Sequence, residues 1–336
     1  MSDARAGHPW APGAVSGIGS MPGVDLADTV ATVFGELPDL PHLPELPARG
    51  PGADMIGRST TLLIDLPVEL VPTGWRLAAH GGRDLRRALD LMARDLDALE
   101  EYADGYSGPL KVQAVGPWTL AAGLELHNGH RVISDHGAVR DLTESLAEGI
   151  RGHLADLSRR IPGAVPVLQI DEPALPAVLG GRIPTPSGYG TVRSVDRVVA
   201  EEALRTVLDV AAPGTRAVHC CAADVPLALL HGAGADAVSL DVTLLGTERY
   251  DELATLLDAG VSLWLGVVPA IGATPSFEDA RRTVRTLWTD LGFPRADLAA
   301  SVVPTPACGL AGSTPEKSRA ILRTLRDVGR SLLDES

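Results

Sequence analysis

The sequence predicts an α/β protein of the (β/α)8 TIM-barrel class, a single domain over residues 1–336 with an N-terminal extension (1–13) and long βα loops. Three observations carry this reading. From about residue 80 onward, short β-branched apolar runs alternate with amphipathic stretches in a βαβ rhythm. Two further strand candidates near the N-terminus bring the units to the number a closed (β/α)8 barrel needs, whereas an open doubly wound sheet would leave units unplaced. No linker, composition shift or low-complexity segment divides the chain, whose 336 residues are 45% hydrophobic and 21% charged, enough to bury a large core.

The elements follow in order. VSGIGS (15–20) reads as the first strand. The stretch 37–53 (LPDLPHLPELPARGPGA) is too rich in proline for a helix, because Pro lacks an N–H donor and restricts the residue before it; an ordered loop over one face is expected. A second strand is expected within MIGRSTTLLIDLPVEL (55–70). Further strands are expected at 110–116 (LKVQAVG), 165–171 (VPVLQID), 215–221 (TRAVHCC), 236–242 (DAVSLDV), 261–268 (VSLWLGVV) and 298–304 (LAASVVP). Amphipathic helices are expected over 82–104, 137–160, 195–211, 249–258, 276–291 and 315–333. The stretch 180–193 (GGRIPTPSGYGTVR) is a second long βα connection, of the sort that builds active sites.

The formal net charge is −14 and no Lys/Arg block interrupts it, so the electrostatic footprint of a nucleic-acid or anionic-membrane binder is missing. No apolar run reaches the roughly 18 residues of a transmembrane helix, and the start MSDARAGHPWAPG lacks the pattern of a secretory signal. Three cysteines are too few for a disulfide framework. A reducing cytoplasm is the expected setting.

The cysteines carry the chemistry. In a parallel barrel the C-terminal strand ends converge on one face, where active sites form. His219 and Cys221 stand two apart in TRAVHCC, so an extended strand sends both to one side and Cys220 to the other. Asp241 ends the next strand, and Cys308 follows the last. One imidazole, two thiols and a carboxylate form a zinc-type donor set. A lone cysteine is more often a small core hydrophobe, and a Cys/His pair can also serve nucleophilic catalysis, but H-x-C on one strand suits chelation better.

Four motifs then resemble one family: G-I-G-S-M-P (17–22), Q-I-D-E-P-A-L (169–175), H-C-C (219–221) with A-D-A-V-S-L-D (235–241), and C-G-L (308–310). Spread over nearly the whole chain, they resemble the C-terminal catalytic barrel of cobalamin-independent methionine synthases. The resemblance implies a zinc-dependent methyltransferase, with Zn2+ as cofactor, that activates the thiol of L-homocysteine and forms methionine. It implies His219, Cys221 and Cys308 as metal ligands, with Asp241 where the family has Glu. It places the substrate's α-carboxylate at Ile18 and Ser20, and its α-ammonium at Asp171, the residue carried over as catalytic. Glu45 and Glu172 join as substrate-binding positions, although Asp171–Glu172 also reads as a carboxylate pair capping a turn.

The chain departs from the family in two places. Two-barrel members carry an N-terminal barrel that helps bind methylfolate, and one barrel fills this sequence. After the seventh strand, GVVPAIGATPS (266–276) holds neither the Asp nor the His that the family uses for proton transfer to folate. The methyl donor is therefore either a methylfolate or a corrinoid protein, the latter needing no leaving-group proton. Trp118 in VGPWTL is a stacking platform for a donor or a buried core residue. Two other functional readings stay open: a corrinoid-dependent thiol methyltransferase of the coenzyme M type on a uroporphyrinogen decarboxylase-like barrel, and a non-catalytic zinc- or thiol-binding protein.

Overall fold

Residues 7–334 are described by a computed structural model of the chain, so the first six residues of the expected extension lie outside them. Six strands form one parallel sheet in sequential order. They are β3 (Gly108–Val115), β4 (Ala164–Asp171), β5 (Arg216–Cys220), β6 (Ala237–Asp241), β7 (Ser262–Val268) and β8 (Val302–Pro306). They follow a separate antiparallel hairpin of β1 (Val68–Val71) and β2 (Gly74–Leu77). Helices pack on the outside, so the strands are buried on both faces; every residue of β7 is buried.

The long helices form where apolar residues recur at 3.6-residue spacing. In Arg83–Tyr102 the buried positions are Ala88, Met92, Asp95, Leu96 and Leu99, one stripe facing the core. Asp135, Asp196, Ser276 and Thr314 cap the helices His136–Arg160, Arg197–Leu208, Phe277–Leu291 and Pro315–Leu333, each side chain accepting a first-turn N–H. All four fall within a few residues of the expected starts.

Expectations for four segments are corrected. The stretch 55–70 holds no strand of the parallel sheet: Asp54 caps the short helix Met55–Ser59, and its last residues enter the hairpin, closed by Pro72-Thr73. In its place, part of the presumed loop 37–53 lies between a sheet edge and the N-terminal segment. Leu43 N–H donates to Lys111 O (2.9 Å), Lys111 N–H to Pro41 O (2.9 Å), Glu45 N–H to Gly19 O (3.1 Å) and Met21 N–H to Glu45 O (2.8 Å). Pro41 and Pro44 have no N–H to give, so the pairing stays at isolated bridges, His42 with Lys111 and Ser20 with Glu45. Finally, 298–301 is a helical turn, Leu298–Ser301, and the last strand begins at Val302.

The expected first strand, 15–20, is not a regular strand either, so the parallel sheet has six strands and not the eight expected; the segment meets the opposite edge through single contacts, Ser16 N–H donating to Pro304 O (3.3 Å) and Leu310 N–H to Ser20 O (2.7 Å). The described part of the extension is packed. Trp10 sits edge-on to Trp264, centroids 5.3 Å apart, in a small apolar cluster with Val167, Ala217, Ala237 and Val303 from successive strands. No helix among the described residues is long and apolar enough to cross a membrane.

Candidate metal and substrate site

The strand alternation places the donors. His219 is a buried residue near the end of β5, Cys220 turns into the core between sheet and helices, and Cys221 returns to the His219 side. Cys308 arrives from the loop after β8. Ligand atoms of His219, Cys221 and Cys308 all lie within 4.8 Å of one another, and the two sulfurs are 3.5 Å apart. His219 Nδ1 is 3.0 Å from Ser239 Oγ on β6, which fixes the ring, while the buried Nε2 has no hydrogen-bond partner. An orphaned imidazole nitrogen beside two converging sulfurs fits a thiophilic divalent ion such as zinc, and a partner on the second ring nitrogen is the usual support for a ligating histidine. The Cys308 thiol is held well below its ordinary range by the Cys221 contact and the His219 imidazole. Cys221 is pushed up by the same contact and by burial, so one negative charge is shared by the pair.

Asp241 is not brought into this cluster. It ends β6, where its Oδ1 accepts from the N–H (2.9 Å) and hydroxyl (2.7 Å) of Thr243 and caps the turn Val242–Leu244.

A cleft of about 140 Å3 opens beside the cluster, and Ile18, Ser20, Glu45 and Asp171 line it together with the three metal-type donors. Pro47, Ala53, Met55 and Pro173 give it an apolar side. Gly19 holds φ at +154°, a conformation that favours glycine, and a side chain there would strike Gln113. Gly309 is constrained by space alone, since a Cβ would fall 2.0 Å from Ser20 Oγ. Two glycines thus let the Ser20 backbone and hydroxyl stand against the metal-side loop.

Asp171 is fully inside the site. Burial pushes its carboxyl up to about 7, opposed by His219 and Lys111 and reinforced by Glu45. Gln169 Nε2 donates to its Oδ1 (2.7 Å). Glu45 lies 3.4 Å from Arg58 Nε; Arg58 in turn pairs with the buried Asp95, which also accepts two hydrogen bonds from Arg49 (2.6 and 2.8 Å).

Two expected positions take other roles. Glu172 does not line the cleft: its carboxylate accepts from the N–H groups of Trp118 (2.8 Å) and Thr119 (2.8 Å) and from the Thr119 hydroxyl (2.6 Å), at the start of the helix Pro117–Gly123. It satisfies amides that the first helical turn leaves orphaned. Of the two carboxylates read as a capping pair, Glu172 caps the turn after β3 while Asp171 lines the cleft. Trp118 is buried, its indole N–H donating to Ala200 O (2.9 Å), which makes it a packing residue.

Sequence reasoning passed over the groups beneath the cleft. Lys111 and Gln113 point to one side of β3, and His42 packs near them; all three are buried. The available signal was the alternation of LKVQAVG, in which a lysine and a glutamine share one face of an otherwise apolar strand.

The sequence profile described as the cobalamin-independent synthase catalytic domain matches residues 13–331. Among curated proteins, none matches the chain. Among solved structures, a B12-independent methionine synthase from Shewanella sp. W3-18-1 in complex with selenomethionine is similar with a TM-score of 0.62 at 13% identity, covering 97% of this chain and 99% of that one. A beta-mannanase from the blue mussel Mytilus edulis has a TM-score of 0.47 at 11% identity, over 96% of this chain and 97% of that one.

Proposed function

Because the chain belongs to the cobalamin-independent methionine synthase catalytic-domain family, a family of methyltransferases, we propose that it transfers a methyl group to the thiol of L-homocysteine, using zinc. The convergence of His219, Cys221 and Cys308 beside a cleft with both carboxylate and backbone recognition groups is the observation that carries this reading. In the same reading, one catalytic domain spans the chain, and the segments 15–20 and 41–45 stand as the first two staves of an eight-stranded barrel, linking the edges β8 and β3.

Each residue has a task. His219, Cys221 and Cys308 hold the metal, and Asp241, which lies outside their cluster, would have to turn its Oδ2 toward them to join as a further donor while Oδ1 keeps the Thr243 cap. Zinc, when bound, lowers the pKa of a coordinated thiol so that thiolate is present at neutral pH. Ser239 keeps His219 in register. Asp171 and Glu45 receive the α-ammonium, and the Ile18–Ser20 backbone with the Ser20 hydroxyl receives the α-carboxylate; two charged ends held at fixed points aim the sulfur. In the transfer the sulfur lone pair forms the S–CH3 bond while the methyl–donor bond breaks, its electrons leaving with the donor. The loop after β7 offers no Asp or His to protonate a leaving amine, which supports a corrinoid protein over a methylfolate as donor. The selenomethionine bound by the Shewanella protein is a product-like amino acid, and it supports the same substrate class here.

Zinc-edge X-ray absorption of the purified protein with and without L-homocysteine tests the reading. The expected result is a gain of one sulfur over the two supplied by Cys221 and Cys308. Zinc with an unchanged shell would instead identify a metal-binding protein without this activity.

A further inference from the structure

Lys111 is 0% exposed in the middle of β3. A buried ammonium is costly unless paired, yet among the described residues none of the ion pairs within 4.0 Å includes it. Its Nζ donates instead to Ile18 O (2.7 Å) and Gln113 Oε1 (3.2 Å). The first of these partners is decisive, because Ile18 O also accepts from Gln169 Nε2 (2.8 Å), the same group that donates to Asp171 Oδ1 (2.7 Å). One chain of hydrogen bonds therefore runs from Lys111 through the Ile18 carbonyl and Gln169 to the carboxylate of Asp171. On the far side of the Ile18 peptide, Gly19 O is taken by Glu45 N–H.

We propose that Lys111 is a positioning residue for amino-acid recognition: from beneath the cleft it fixes the Ile18 carbonyl, and thereby the Ile18–Ser20 backbone that meets the substrate's α-carboxylate. The inference rests on the reading of the site as one for homocysteine. The peptide plane ties the direction of the Ile18 carbonyl to that of the following N–H, so two donors on one oxygen set the presentation of the strand end toward the cleft. Gln113 closes the arrangement from the other side, its Nε2 donating to Leu43 O (2.6 Å). Burial works against the Lys111 ammonium while Asp171 and Glu45 act to keep it charged, and the anionic end of the substrate approaches a backbone whose carbonyl is turned away toward this donor. Lys111 touches neither the substrate space nor the metal donors.

The test compares zinc-loaded wild type with Lys111→Met, which keeps the stem and removes the donor. Calorimetry measures binding of L-homocysteine and of 3-aminopropane-1-thiol, which lacks the carboxylate. Wild type is expected to prefer homocysteine. The variant is expected to lose roughly 10–100-fold in homocysteine affinity while the aminothiol changes by less than about threefold, with zinc content unchanged. A merely structural role would weaken both thiols together; parallel losses, or no loss, overturn the inference. If Lys111→Met does not fold, the same ratio is read on Lys111→Gln, whose shorter amide does not reach Ile18 O. Failure of wild type to bind homocysteine at all would overturn the functional reading itself, whereas normal binding in wild type with an unchanged ratio in the variant overturns the role of Lys111 alone.

Discussion

The sulfurs of Cys221 and Cys308 lie 3.5 Å apart although 87 positions separate them in the chain. Neither residue is fully enclosed, and neither belongs to the apolar core that holds Cys220. In this arrangement the pair keeps one proton between the two sulfurs; a divalent cation would displace that proton and hold both as thiolates beside the orphaned imidazole nitrogen.

Replacing either sulfur removes one donor from a three-residue set. Cys221→Ser and Cys308→Ser are each expected to lower zinc affinity by at least about 100-fold with the fold intact. Metal content after dialysis against a weak chelator, with circular dichroism as control, checks this; stoichiometric zinc in both variants would sink the ligand assignment.

Asp241 is half-buried and held by Thr243. As a donor through Oδ2 it is expected to contribute less than the sulfurs, so that Asp241→Asn, which keeps the Oδ1 cap, weakens zinc about tenfold. Asp241→Glu should alter the X-ray absorption spectrum by repositioning the carboxylate. Identical affinity and spectra in both variants would leave three protein ligands and an open position.

Glu172 holds up the start of a helix. Glu172→Ala leaves the Trp118 and Thr119 amides buried without an acceptor and is expected to cost about 2–4 kcal/mol of stability. Urea unfolding measures the loss. Homocysteine affinity of the folded fraction should be unchanged, and a selective drop in it would return Glu172 to the substrate site.

His153 sets an acid limit. Buried in His136–Arg160 with its Nε2 unpartnered, it is lowered from 6.5 to about 4, chiefly by burial and then by the nearby Arg58. A folded-state pKa below the unfolded one means that its contribution is complete above pH 6.5 and is lost as pH falls toward 4, because the unfolded chain takes up the proton first. The shift corresponds to roughly 3 kcal/mol across that window. His153→Leu is expected to flatten the stability profile between pH 4 and 6.5; a profile parallel to wild type would remove His153 as the cause.

What the sequence determined by itself was everything that depends on local spacing. The six regular parallel strands and the long helices fall close to their expected positions, since alternation and the 3.6-residue stripe are properties of short windows. The two-residue step from His219 to Cys221 likewise foretold that both side chains would share one face while Cys220 turned away. The tertiary structure decided what local spacing cannot contain. The proline-rich stretch around His42–Glu45 has no pattern of its own, and only the free edge of β3 and the N-terminal segment give its few N–H groups acceptors. Glu172 stands next to Asp171 in sequence, but alternation sends the two carboxylates to opposite sides, one to the cleft and the other to the amides of Trp118 and Thr119. Lys111 in an apolar strand becomes intelligible once Ile18, 93 residues away, supplies the carbonyl that its ammonium requires.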